Sequence, residues 1–348
     1  MARHLDPLPR TLGAAFTAAE ARALGLGSRR LNAVDVVRLA PGYYARAPLP
    51  LWPGDAATGH PAERWRQYQR AVAKLIGPLL PGGVFFAGRT AAAIHRLPVP
   101  APRALPQAGP AGREPAVVAN LALALGGIDL GCHTRAKRLD SRGFAMQVVQ
   151  AAHVTVVARG ALRVTDPAST WAMLAPKLGR GDAVALGDAV IREARIPGTA
   201  RLERPPHAEI AELERLAAMP RRPGGPALRQ MLALLSPHSA SPPESLIRLL
   251  LLDWGLPEPR LDYDVTSPSG RLLGASEFAY PEYRFAIEYE GDHHRVEARQ
   301  WNRDIEKYHD YREHGWEVFR VTSELLYIRR AELRERLLSR FRSFGWSG

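Results

Sequence analysis

Residues 272–294, LLGASEFAYPEYRFAIEYEGDHH, constrain this chain more than any other stretch. They predict a β-hairpin with strands over 272–279 and 284–290 and a turn at Tyr280-Pro281-Glu282-Tyr283. Proline has no N–H for a central ladder and suits the turn. In the second strand Phe285, Ile287 and Tyr289 alternate with Ala286, Glu288 and Glu290. Alternate side chains point to opposite faces, so the apolar set faces a core and the acids share the other side. If Tyr280 pairs with Tyr283, Glu277 lies opposite Ala286 and diagonal to Glu288, roughly 7–8 Å away at Cα. Carboxylates so crowded repel unless a proton or a cation offsets the charge. A solvated polar face would carry the same residues. Mostly apolar strands and acids converging from two of them favour a site. Gly291 ends the strand, and Asp292, His293 and His294 follow.

The ordered set of an acid, then PEYR, then EYEGDHH resembles the PD-(D/E)XK nuclease fold in its Vsr-like (very-short-patch-repair) branch. The likeness covers residues 241–339. It implies a helix, a hairpin carrying the metal acids, a second helix, a strand and a last helix. It also implies a DNA endonuclease that hydrolyses phosphodiester bonds. Matched residue by residue, Glu244 falls at the first-helix acid, Glu277 at the acid that is usually Asp, and Glu288 at the second acid. Glu290 stands where the parent motif has Lys. His293 and His294 resemble the histidines that do part of the chemistry in this branch. The implied cofactor is Mg²⁺ or Mn²⁺ on Glu277 and Glu288, hard cations that take oxygen ligands. Glu290 or His293 would orient or deprotonate water, and His294 would protonate the leaving oxygen. A zinc site on the two adjacent histidines is disfavoured, because their side chains would diverge along a strand. Two departures from the family pattern, Glu277 for Asp and the missing Lys, leave an alternative: a non-catalytic DNA-binding regulator with a degenerate nuclease fold.

Two flanking features have local explanations as well. Ser241-Pro242-Pro243-Glu244 has the spacing of a capping box, which accounts for Glu244 without any metal. Asp304 and Lys307 lie three apart on a predicted helix over 300–313, where the resembled family carries a similar pair near its site and where a surface ion pair is equally expected.

The rest of the chain differs in charge. Residues 1–220 hold 28 Lys and Arg against 16 acids, whereas 221–348 hold 19 of each, so the whole net charge of +12 lies in the first part. A basic front beside a neutral, acid-clustered back suits a nucleic-acid-binding region joined to a metal-dependent one, with DNA as partner. At the N-terminus, Thr17-Ala18-Ala19-Glu20 is a capping box opening a short helix, and Ser28 can cap a second. Val36 to Leu39, Pro41-Gly42 and Tyr43 to Arg46 read as a hairpin wing. These residues, with TAAAIHRLP at 90–98, resemble the front of AbiEi-type antitoxins. That likeness implies a winged helix with Arg29, Arg30 and Asn32 in the major groove and Arg38 and Arg46 near phosphates.

The expected fold class is therefore mixed α/β: a winged-helix-like and antitoxin-like α/β region, then a restriction-endonuclease-like core. The domains fall at 1–60, 61–220 and 227–348, with PRRPGGP at 220–226 as linker. His95 is taken as structural. The single cysteine, Cys132, excludes a disulfide framework. No apolar run approaches 18 residues and no signal peptide opens the chain, so a cytoplasmic protein without membrane contact is expected.

Overall fold

The structure, a computed structural model, describes residues 7–47, 61–101, 127–139, 142–291 and 298–347. Its fold is mixed α/β, as expected. The chain forms two compact units, the first from 1–177 and 212–225, the second from 178–211 and 226–348. The chain passes into the second unit at 225/226, inside the expected 220–227 boundary, but 178–211 was expected in the region before it. Residues 178–211 belong to the second unit because a buried acid ties them there. Asp188, 1 % exposed, accepts from Ser245 Oγ (2.7 Å), Arg248 (3.0 Å) and the Ser236 N–H (2.7 Å). The proline-rich 220–226 segment is likewise no free linker. Arg222 is buried and donates to the His153 carbonyl at 2.8 Å.

In the first unit, β1 (Ala15–Thr17), α1 (Ala18–Ala23), α2 (Ser28–Leu31), β2 (Val36–Ala40) and β3 (Tyr43–Arg46) make a small module with strand order β1-β3-β2. The Thr17–Glu20 capping box forms as read. Ser28 is the first helical residue instead of the cap, which is Gly27. The β2–β3 turn places Gly42 at φ 84°, where a glycine carries no Cβ penalty. Next come α3 (Pro61–Ile76), β4 (Val84–Phe86), α4 (Gly88–Ile94), β5 (Ile128–Cys132), β6 (Phe144–Val148), β7 (Val156–Arg159), β8 (Leu162–Thr165) and α5 (Pro167–Leu174). Their sheet runs β6-β5-β4-β8-β7 over a core that includes Val72, Ile76, Phe86, Leu130 and Val164. His95 is buried with its Nε2 2.7 Å from the Thr165 carbonyl, a structural role.

The second unit opens with α6 (Arg180–Ile191) and the short pair β9 (Ala194–Arg195) and β10 (Leu202–Arg204); the chain returns to the first unit within α7 (Ile210–Ala217), leaves it at the start of α8 (Gly225–Leu232) and goes on to α9 (Pro242–Asp253). Ser241 caps α9 and Pro242 opens it without losing a hydrogen bond, since the first-turn N–H groups have no helical partner. The sheet follows as β11 (Arg260–Thr266), β12 (Leu272–Tyr280), β13 (Phe285–Glu290) and β14 (Glu317–Thr322), in that order. The first three strands are antiparallel. β14 pairs parallel with β13, with α10 (Ala298–Glu313) in the connection between them.

The sheet is covered on both faces. Ile247, Leu250 and Leu251 of α9 pack on Phe278, Tyr280, Phe285 and Ile287. Leu333, Leu337 and Phe341 of α12 (Arg330–Ser343) join them. Tyr311 of α10 covers Ala286, Val265 and Leu273 on the other face. The last helix that the resemblance implied is two helices, α11 (Ser323–Tyr327) and α12, parted at Ile328 and Arg329. Among the described residues no helix is long and apolar enough to cross a membrane.

Candidate functional site

The hairpin register differs from the expected one. Tyr280 pairs with Phe285, Ala279 with Ala286 and Phe278 with Ile287. Two more residues are spent in the turn: Pro281–Tyr283 form one 3-10 turn, and Arg284 takes a left-handed conformation at φ 46°. The same register, continued, brings Glu277 level with Glu288, directly opposed where a diagonal was expected. Both point to the face of Ala279 and Ala286, away from the Phe278–Ile287 core, because side chains alternate along a strand.

The paired residues of the hairpin end at Phe278 and Ile287, and a side chain takes over from the ladder. Glu277 Oε2 accepts the backbone N–H of Tyr289 at 2.7 Å. Glu288 is 4 % exposed, and its Oε2 accepts from Lys307 Nζ at 2.9 Å. Its Oε1 is buried without a hydrogen-bond partner. The nearby Ser276 hydroxyl donates instead to the Phe278 carbonyl at 3.1 Å. Glu277 retains some exposure to solvent.

Glu244 supplies a third negative charge. It completes the capping box, with Oε1 accepting from Ser241 Oγ (2.8 Å) and Oε2 from the Ala240 N–H (2.7 Å). Its charge nevertheless reaches Glu277. Burial first, then the Glu244 and Glu288 charges, push the Glu277 carboxyl well above its usual range, against the Tyr289 N–H and Lys307. Burial also raises the Glu288 carboxyl, opposed by the Lys307 charge and hydrogen bond. Glu244 is raised by burial too, against its capping bonds. Crowded buried carboxylates with raised pKa values are common at functional sites, because chemistry needs charges that folding alone disfavours.

Lys307 is the side chain that the sequence placed, with Asp304, either near the site or in a surface ion pair. It projects from α10 onto Glu288, and its Nζ lies 5.4 Å from the Tyr311 ring centroid and 5.5 Å from that of Tyr308. The side chain of Asp304 lies outside the described residues. The available signal was helical spacing: Lys307, Tyr308 and Tyr311 present a cation and two rings within one turn. Glu290, expected to orient water, forms an ion pair with Arg320 of β14 instead. That pairing follows from the parallel β13–β14 register, which sets Glu288 beside Arg320 and Glu290 beside Thr322. His293 and His294 lie outside the described residues.

Two carboxylates meet here, and one buried oxygen lacks a partner. These donors fit a hard divalent cation in kind, both being carboxylate oxygens. Among the described residues no group of three or more His, Cys, Asp or Glu side chains comes close enough to hold a metal ion.

The N-terminal basic residues divide. Arg29 and Asn32 are exposed. Arg30, expected in the major groove, makes a two-pronged pair with Asp35, both bonds 2.6 Å. Arg46, expected at a phosphate, donates to the carbonyls of Leu12 (2.8 Å), Gly13 (3.2 Å) and Pro9. Arg38 is half-buried, with its Nε lacking a partner. These pairings use two of the five residues to hold the module together. α2 spans only Ser28–Leu31, about one turn, which leaves little helix to lie in a groove.

No protein-family model matches the chain. It is similar to two uncharacterized proteins of Mycobacterium tuberculosis, Rv2248 of strain H37Rv and MT2308 of strain CDC 1551. Each is 32% identical over 155 residues, covering 44% of this chain and 52% of the relative. The chain thus spans about half the length of the curated relatives it matches. No solved structure gives a significant match.

Proposed function

We propose that the chain is a divalent-cation-dependent DNA endonuclease of the PD-(D/E)XK, Vsr-like kind, hydrolysing phosphodiester bonds, with its basic first part contributing to DNA binding. The observation that carries this reading is the opposition of Glu277 and Glu288 at the end of a ladder, with Lys307 held on the buried one.

Glu277 and Glu288 are the residues that would hold Mg²⁺ or Mn²⁺. Such a cation supplies Lewis-acid polarisation of a phosphodiester and acidifies water. Lys307 opposes the burial that raises the Glu288 carboxyl. It also brings a positive charge to where an anionic transition state needs one, the role left open by Glu290 at the motif's Lys position. Glu290 is occupied by Arg320, so it serves to anchor β13 to β14. The Tyr289 N–H fixes the Glu277 carboxylate, so that acid is oriented before any ligand arrives. Protonation of the leaving oxygen falls to His293 or His294 in this reading.

The test is incubation of supercoiled plasmid with protein and Mg²⁺ or Mn²⁺, alongside Glu288→Ala. Metal-dependent nicking lost in the variant is the expected result. DNA binding without cleavage under either metal would overturn the enzyme reading and favour the non-catalytic regulator, for which the occupied Glu290 speaks.

A further inference from the structure

The first unit contains a cavity of about 270 Å³ that the nuclease reading leaves unused. It lies among the end of β6, the end of α5 and the 220–225 turn. Val149, Ala172 and Met173 give it an apolar wall, and Lys177 and Arg222 give it two positive charges.

Arg222 is the informative residue. It is 7 % exposed, and one guanidinium nitrogen donates to the His153 carbonyl at 2.8 Å. Its Nε is buried without a partner, and the nitrogen that reaches His153 also lies 3.7 Å from Met219 Sδ. Asp166 is the acid whose charge reaches it, but Asp166 Oδ1 already caps α5 through the Ser169 N–H at 2.7 Å. A desolvated cation without a counter-ion is unfavourable, so folds rarely keep one against an empty wall. The turn that carries it is tight. Arg221 sits at φ 56°, and Gly224 at φ 75° packs so closely that a Cβ would lie 2.4 Å from Pro176. Lys177, at the rim, has a neutral partner, Gln147 Oε1 at 3.0 Å.

A buried guanidinium with an unpartnered Nε and a rim ammonium, beside an apolar wall, suit an amphiphilic anion. Guanidinium and ammonium groups are the usual partners of phosphate oxygens. The volume suits one small molecule and is far too small for a duplex. We propose that this cavity binds a small organic phosphate monoester, with the phosphate on Arg222 and Lys177 and the body against Ala172 and Met173. None of these residues belongs to the candidate nuclease site, so either reading can fail alone.

The experiment is calorimetric titration of the full chain with three probes: adenosine 5′-monophosphate, inorganic phosphate and adenosine. The monophosphate should bind one to one and more tightly than phosphate, and adenosine should not bind detectably. Lys177→Met should weaken monophosphate binding about tenfold, the effect of one charge-assisted hydrogen bond. Lys177 is exposed, so this variant should fold even if Arg222→Gln does not. Absence of binding by both phosphate-bearing probes at millimolar concentration overturns the proposal. So does binding unchanged by Lys177→Met, or displacement of the monophosphate by a DNA oligonucleotide at stoichiometric amounts, which would assign the cavity to polymer phosphates.

Discussion

Replacing Glu277 by Gln should make the metal-free protein more stable while removing cleavage. Gln keeps a carbonyl oxygen for the Tyr289 N–H and nearly the same shape, so the change is mainly one of charge. Glu277 stands level with Glu288, which is 4 % exposed. At an effective dielectric constant of about 20, unit charges roughly 5–6 Å apart repel by about 3 kcal/mol. Protonation of one acid relieves part of this, leaving a gain of about 1–2 kcal/mol near neutral pH. For a unit of this size that shifts the melting midpoint by roughly 2–8 °C.

The pH dependence is the stricter check. The folded-state pKa of Glu277 is raised, so the native protein holds a proton that the unfolded chain has already lost. The wild type keeps this contribution below the ordinary carboxylate range and loses it as pH rises through the raised value. Gln cannot titrate, so the variant's advantage should be absent in acid and grow with pH. Urea unfolding of both proteins with a chelator present, from about pH 5 to about pH 9, measures it. A variant no more stable than wild type at the alkaline end, or an advantage that does not change with pH, would refute the argument that these acids repel.

Other expectations follow from the same contacts. Lys307→Met leaves Glu288 buried and unpaired, so stability should fall by about 3 kcal/mol, more at high pH than at low pH, as read by urea unfolding. Ser241→Ala removes the α9 cap and should cost about 1 kcal/mol, while plasmid nicking by the folded protein persists. Arg46→Met frees the carbonyls of Pro9, Leu12 and Gly13; limited proteolysis should then cut ahead of β1, with a loss of about 2 kcal/mol. Arg29→Ala should lower DNA affinity and reduce the slope of log affinity against log salt by about one, measured by fluorescence anisotropy.

Much of the second unit could be read from local chemistry. The Ser241 cap, the strand alternation around Phe285 and Ile287, and the helix carrying Lys307 all depend on neighbours a few residues away. The register did not, because it hinged on Arg284 entering a left-handed conformation that nothing in PEYR demands of an arginine. The partner of Glu290 was missed for a related reason: Arg320 lies 30 residues on, across a parallel pair that sequence periodicity cannot align. Arg30 and Arg46 show the same gap in the first unit. A basic residue near a wing looks like a phosphate contact until the fold supplies Asp35 or a row of carbonyls. The 220–226 segment has linker composition, but left-handed Arg221 and Gly224 serve a packed turn equally well.

The Glu277 carboxylate belongs to the sheet as well as to the candidate site. Its second oxygen stands in for a main-chain carbonyl, and the extra methylene of Glu over Asp gives it the reach to do so. An inactive descendant of this hairpin could therefore drift to Gln at this position with its strands intact. A drift to Ala would leave the Tyr289 amide unanswered and loosen the strand end itself. Decay of the chemistry and decay of the architecture would then leave different residues behind.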